Sequence, residues 1–432
     1  NSYLNVIPRE STALMALDLK KVADNPTISG QGEVLKALFQ VDNLDDCGLD
    51  FSQKVYLFEA PDGNLGVCVK VADADDLEHW LTSLSQHGIC QPLTKFHGFH
   101  FSILKSQWVV GFSDAAMLVM GPSVASAQPA LRQSIFKYLS ADEEDGIKES
   151  PMFERLDSIS APISLVAEAQ ALPQQLVAPF TLGAPKGTDP TQILLSADIE
   201  VKDGCLNIHG ETFSFLPKVD RALKQAQKVF RPIKGQYVHS MPADATVGLF
   251  LNVDGKKFLP LMQANQGIQA LLAGINTAID MDNIIRSVDG DMSIIMPHFS
   301  TGSSQLMMAA KLAHAHWLSD VGYWKQSCPA GGKIADWGKN AYFYSDGKTT
   351  YYFGVSDDLQ YFSGSDALSA LYAIKRSDHP ISVALQQKIR GQKIVLLVNL
   401  SNLDKGQELM TALSSLLKPI FGDFQQMVYT LK

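Results

Sequence analysis

Ile7-Pro8-Arg9-Glu10-Ser11-Thr12-Ala13-Leu14-Met15-Ala16-Leu17-Asp18-Leu19 has a partner far downstream, Met241-Pro242-Ala243-Asp244-Ala245-Thr246-Val247-Gly248-Leu249-Phe250-Leu251-Asn252-Val253. Pro8 maps to Pro242 and Thr12 to Thr246 with the same separation. Lys20-Lys21 corresponds to Lys256-Lys257 after a short insertion. His79-Trp80-Leu81 matches His316-Trp317-Leu318, Gly111-Phe112-Ser113-Asp114 matches Gly354-Val355-Ser356-Asp357, and Gly121 matches Gly364. Ser150-Pro151 and His379-Pro380 stand at the same place near the end of each copy. The separation drifts in small ordered steps, as loop insertions between two copies produce, and it drops where the first copy carries an acidic loop at 140–149. A repeat of this length is read first because it sets the whole architecture.

Each copy then predicts the same order of elements. A strand (13–19 and 247–253) leads to a helix (33–39 and 258–279). In the second copy Phe258, Leu261, Ile268, Leu271, Leu272, Ile275 and Ile279 recur at helical spacing. A hairpin follows, with Pro61-Asp62-Gly63-Asn64 as its turn in the first copy. A second helix is capped by Asp73, ended by Gly88 and buries Leu77, Trp80, Leu81 and Leu84. Its counterpart buries Trp317, Leu318 and Val321. Short strands complete each copy, and a long helix near 407–418 precedes the last one. Hairpin-to-hairpin strands with interspersed helices predict an α+β fold, two tandem repeats of a largely antiparallel curved sheet packed with helices. The boundaries are 1–216 for the first repeat, 217–236 for a basic helical linker and 237–432 for the second repeat.

The opening Tyr3-Leu4-Asn5-Val6-Ile7-Pro8, running into the strand Ala16-Leu17-Asp18-Leu19-Lys20, resembles the Bacteroidetes cell-envelope family of the domain of unknown function DUF4836, and its weaker echo past mid-chain fits that likeness. The resemblance covers nearly the whole chain, on motifs that mark strand starts rather than a site. It implies a lipoprotein signal peptide upstream of Asn1, a periplasmic or outer-membrane location, and no established activity or catalytic residues. The chain opens Asn-Ser-Tyr-Leu without an initiator Met, which fits a trimmed leader.

Composition sets the remaining bounds. Hydrophobic residues make up 46% and charged residues 19%, enough apolar material for a core in each half. The formal net charge of -9 argues against nucleic acid as the main partner, since phosphate binding needs a basic footprint. No apolar run approaches the roughly 20 residues of a spanning helix. Cys47, Cys68, Cys90, Cys205 and Cys328 include no C-x-x-C pair and read as buried thiols.

One charge feature stands out in this acidic chain. Lys218, Arg221, Lys224, Lys228 and Arg231 recur at three- and four-residue steps, with Val219, Ala222, Leu223, Ala226 and Phe230 on another face. This is the candidate surface for an anionic glycan, an acidic envelope protein or lipid headgroups, set against the plainer reading, a solvated connector helix before Pro232. Other motifs point to structure. Gly347-Lys348-Thr349 lacks the upstream glycine of a phosphate loop, with Tyr342 in its place, and reads as a turn. Gly30-x-Gly32 lacks the third glycine of a dinucleotide fingerprint. His97 with His100, and His314 with His316, lack further ligands at useful spacing. Asp280, Asp282, Asp289 and Asp291 offer hard oxygens without the regular spacing of a calcium loop. No cofactor or metal is expected, and no nucleophile elbow occurs. The expected function is a non-enzymatic binding or structural module of the cell envelope, attached to the membrane through a removed N-terminal lipid anchor. The alternative is a hydrolase of envelope polymers or glycans.

Overall fold

The fold is described from a computed structural model, over residues 2–23, 44–299, 305–402, 418 and 424–432. The predicted helices at 33–39 and 407–418, and Gly30-x-Gly32, lie outside the described residues or nearly so. The architecture is mixed α+β with mostly antiparallel strands in open ladders. The chain divides into two compact units. Of the described residues, one runs to Ala171 and adds Leu194–Lys202, 418 and 424; the other takes Leu172–Ile193, 203–402 and Gln425–Lys432.

The first unit contains β1 (Ala13–Leu17), β2 (Val55–Glu59), β3 (Leu65–Lys70), β4 (Thr94–Phe96), β5 (Phe99–Leu104), β6 (Trp108–Phe112), β7 (Ala116–Gly121), β8 (Ile163–Glu168) and β9 (Leu194–Lys202). Its ladder runs β9-β8-β1-β2-β3-β7-β6-β5-β4, antiparallel at every step. β1 is apolar throughout and buried at every position, as a strand with both faces covered must be. Thr94 and Lys95 of the edge strand β4 are exposed, and a polar edge of this kind discourages further pairing. The helix Ala74–Gln86 starts where Asp73 accepts the Asp76 amide at 3.0 Å and buries Leu77, Leu81 and Leu84. Trp80, expected in that buried stripe, is half-buried, and the leucines alone seat the helix. The helix Gln128–Leu139 buries Leu131, Ile135 and Leu139. A Cβ on Gly111 of β6 would meet Ile135 at 2.7 Å, so the missing side chain lets this helix lie close on the sheet.

The second unit contains β10 (Cys205–Phe213), β11 (Val247–Asp254), β12 (Val288–Met296), β13 (Met307–Leu312), β14 (Lys333–Gly338), β15 (Ala341–Ser345), β16 (Thr350–Val355), β17 (Gln360–Gly364), β18 (Ile394–Asn399) and β19 (Gln426–Leu431). Its ladder runs β10-β19-β18-β11-β12-β13-β17-β16-β15-β14. Only the β10–β19 step is parallel. One face packs on Ile233, Tyr237, Val238, Met241 and Ile389, which meet Phe250, Ile295, Phe362, Val395 and Leu397 of the strands.

The long helix expected at 258–279 is two pieces. Gly255–Ala264 ends at Asn265, whose side chain accepts the Ile268 amide at 3.1 Å and starts Gln266–Asn276 afresh. Met281–Arg286 follows, capped by Asp280. Asn265 takes an extended ψ of 111°, which breaks the helical path while keeping the apolar spacing on both sides. Trp317 is buried as expected, but in a 3-10 turn, His316–Asp320, with its indole N–H donating to Ser287 Oγ at 3.1 Å.

Candidate functional site

Two stretches of the second unit run side by side without joining the main ladder. The Ala243 amide donates to the His379 carbonyl (2.8 Å), the Ser377 amide to the His239 carbonyl (2.9 Å) and the Ile381 amide to the Met241 carbonyl (2.9 Å). Across from them lies the six-residue helix Ala367–Tyr372. Asp366 caps it, accepting the Ser369 amide at 2.8 Å and the Ser369 hydroxyl at 3.1 Å. The helix sits tightly on β17, because a Cβ on Gly364 would meet the Ala370 nitrogen at 2.5 Å. Ala370 is therefore wholly buried, and the helix turns Leu368 (66% exposed) and Tyr372 (39% exposed) outward.

Between helix and loops lies a cleft of about 540 Å³. Met307, Leu368, Tyr372 and Pro242 supply its apolar wall, and Ser240, Ser377, Asp244, Asp378 and His379 stand around it. The volume is that of a small-ligand site. The serines are engaged locally: Ser377 Oγ accepts the His379 amide at 3.3 Å, and Ser240 Oγ lies 3.5 Å from the His239 ring. Burial, with the Arg376 and Arg390 charges nearby, holds the His239 imidazole below its ordinary range. The arrangement offers apolar contact with a polar rim, in which the Ser240 hydroxyl stands within hydrogen-bond reach of His239 Nδ1.

The sequence-predicted basic residues fall on the helix Pro217–Gln227 and just beyond it. Val219, Leu223 and Ala226 are buried, and Gly183 packs so close that a Cβ there would meet Ala226 Cβ at 2.4 Å. Lys218, Arg221, Lys224 and Lys228 are exposed on the outer side. Lys224 pairs with Asp220 at 2.7 Å. Arg231 is separate from the others: it donates to Asn252 Oδ1 (3.0 Å), the Val253 carbonyl (2.8 Å) and Asp289 (2.8 Å), and so anchors the chain after the helix.

The family model described as "Domain of unknown function (DUF4836)" matches residues 29–381. The chain belongs to that family. No curated protein sequence matches this DUF4836 chain. Among solved structures, crystal form IV of TP0453 is 10% identical, covers 40% of this chain and 66% of its own, just under two thirds, and has a TM-score of 0.26. Crystal form III of TP0453 is 9% identical, covers 86% of this chain and 96% of its own, and has a TM-score of 0.26. Scores at this level carry no argument about fold or function.

The acidic stretch of the DUF4836 chain is taken apart by the fold. Asp280 caps a helix, Asp282 accepts from Gln263 Nε2 (2.9 Å), and Asp289 pairs with Arg231. Asp291 is 3% exposed, and its carboxylate accepts the amides of Lys234 (3.0 Å), Gly235 (2.8 Å) and Gln236 (2.8 Å). Among the described residues no three His, Cys, Asp or Glu side chains gather as a metal site. His97 turns at a φ of 48°, while His100 stacks on Phe112 at 5.0 Å. His314 and His316 stack on each other at 4.2 Å, rings nearly parallel, so they do not converge on one point. Gly347-Lys348-Thr349 is the expected turn, gathered by Asp346, which accepts the Lys348 and Thr349 amides. Among the described residues the five cysteines form no disulfide, and Cys47, Cys68, Cys90 and Cys205 are buried. The cleft residues were missed by sequence reading. The one available signal was Asp366, three residues before Ser369 at the start of a short helix whose Leu368 and Tyr372 do not share the stripe of Ala370.

Proposed function

We propose that this chain is a non-enzymatic binding module of the cell envelope, built from two copies of one sheet-and-helix unit, with the cleft beside Ala367–Tyr372 as its binding site. The observation that carries the reading is the pair Leu368 and Tyr372, held outward by the buried Ala370 over a cleft of about 540 Å³. Apolar side chains fixed in water on a short, well-seated helix gain roughly 25 cal/mol per Å² when a partner covers them. The ligand has one apolar face to meet Leu368, Tyr372 and Met307, and polar edges to meet the serines, carboxylates and imidazole around them.

The duplication is supported by two independent correspondences. The ladder β9-β8-β1-β2-β3-β7-β6-β5-β4 has the same connectivity as β19-β18-β11-β12-β13-β17-β16-β15-β14. Thr12 and Thr246 also do the same work in their own units. The Thr12 amide donates to the Glu59 carbonyl and its carbonyl accepts from Glu168; the Thr246 amide donates to the Met296 and Pro297 carbonyls and its carbonyl accepts from Asn399. On this reading the copies diverged at their helices, among them the one that is 12 residues long in Gln128–Leu139 and 6 in Ala367–Tyr372. The envelope location rests on the resemblance of the opening motif to cell-envelope proteins of the DUF4836 family, and fractionation of cells that make the protein from its own gene tests it. The site is tested by melting the chain against glycans, peptidoglycan fragments and apolar peptides. A ligand specific for the folded state raises the transition by mass action. The rise is expected to vanish in Leu368→Ser and Tyr372→Ala. A ligand that still stabilises both variants, or one that is turned over, overturns the reading.

A further inference from the structure

The basic helix carries a second feature that its sequence spacing did not reveal. Phe215 (40% exposed) and Leu216 (46% exposed) stand uncovered immediately before it. Phe213 is buried, and its ring meets Phe215 edge-on at 5.2 Å, which holds the Phe215 ring at the surface. The Leu216 amide donates to Ser214 Oγ at 3.1 Å, which fixes the backbone there. One turn on, Lys218 and Arg221 are exposed, and Lys228 follows; none of the three forms an ion pair among the described residues. The helix beneath is rigidly seated through Val219, Leu223 and Ala226.

We infer that this patch docks onto an anionic lipid bilayer. Two exposed apolar side chains beside unpaired cations on a fixed helix is the combination an interfacial surface needs: apolar groups enter the headgroup boundary while Lys and Arg meet lipid phosphate. Nucleic acid fits poorly with a net charge of -9. An acidic protein would account for the cations and leave Phe215 and Leu216 uncovered. Lys224 contributes less, since Asp220 already neutralises it, and Arg231 lies outside the surface because its guanidinium is bound to Asn252, Val253 and Asp289.

The test is flotation of the whole chain with vesicles of neutral phosphatidylcholine, or of phosphatidylcholine with anionic phosphatidylglycerol. Binding is expected on the anionic vesicles alone and is expected to weaken with salt. At about fivefold in partitioning per cation, Lys218→Gln, Arg221→Gln and Lys228→Gln together lower it by about a hundredfold. Phe215→Ser with Leu216→Ser weakens binding while the remaining salt dependence persists. All these side chains are exposed, and an unchanged melting curve shows that the variants fold. Absence of anionic-vesicle binding at low salt, equal binding to neutral vesicles, or a triple variant that binds like the parent overturns the inference. So does binding to polyglutamate without binding to vesicles. Leu368→Ser and Tyr372→Ala leave flotation unchanged, so the cleft and this surface succeed or fail separately.

Discussion

Asp291→Ala tests a buried carboxylate of the second unit that gathers a loop by its backbone amides. The side chain is 3% exposed and accepts three backbone amides at 2.8 to 3.0 Å, from Lys234, Gly235 and Gln236. A hydrogen bond to a charged acceptor is worth about 1.5–3 kcal/mol. Lys234 and Gln236 are exposed, so water recovers part of their loss once the loop relaxes. The expected cost is therefore about 3–5 kcal/mol, below the sum of three full bonds. For a unit of this size that is a fall of roughly 6–20 °C in melting temperature. Asp291→Asn keeps an acceptor oxygen but loses the charge and is expected to cost about half as much. Asp289→Ala is the control: it breaks only a solvent-exposed pair with Arg231 and costs under about 1 kcal/mol. The assay is urea unfolding followed by tryptophan emission, to which Trp317, Trp324 and Trp337 contribute from this unit. If Asp291→Ala is as mild as Asp289→Ala, the carboxylate does not hold the 234–236 loop and the reasoning fails.

The other predictions concern pH, metal and thiols. His239 is held below its ordinary value of 6.5, so between the two values the unfolded chain binds more protons. Its contribution to stability is complete above about 6.5 and is lost as the pH falls below that; melting from pH 8 to 5 should show a shallower acid loss in His239→Gln, and identical curves would refute the assignment. Asp280, Asp282, Asp289 and Asp291 are all engaged within the fold, so calcium should leave the melting temperature unchanged, and a dose-dependent rise would show an unrecognised site. Cys328 is the one cysteine not fully buried, although partial burial raises its thiol pKa. An alkylating reagent should modify it first in the native chain, with Cys47, Cys68, Cys90 and Cys205 reacting only on unfolding; early modification of Cys68 would contradict its burial.

Most of the strand framework was legible because central strands carry their own signal. β1 is a continuous apolar run and β18 is one as far as Val398, and both strands are buried at every position. Asp73 and the Asp346 turn were legible for a local reason, since each acts on amides within three residues. The break at Asn265 was not, because apolar spacing continues across it and only the cap geometry reveals it. Trp80 shows a further limit: its spacing matches the buried leucines, but a large ring on the margin of that stripe stays half in water. The roles of Asp289 and Asp291 were not legible because their partners, Arg231 and the 234–236 amides, lie more than fifty residues away. The cleft was illegible for the same reason, since Ser240, Met307 and Leu368 meet only through the sheet.

The parallel pairing of β10 with β19 governs the order in which this protein becomes complete during synthesis. His209 Nδ1 meets Thr430 Oγ1 at 2.7 Å across that pairing, 221 residues apart in sequence. Every strand of the first unit has been made by Lys202, so its ladder is free to form while the ribosome is still translating the rest. The second unit must wait: β10 and β18 have no strand between them until Leu431 has emerged, and both present unpaired edges in the meantime. A stalled or truncated chain that stops short of Gln426 therefore exposes two open edges at once, the condition under which nascent chains recruit chaperones or pair with each other.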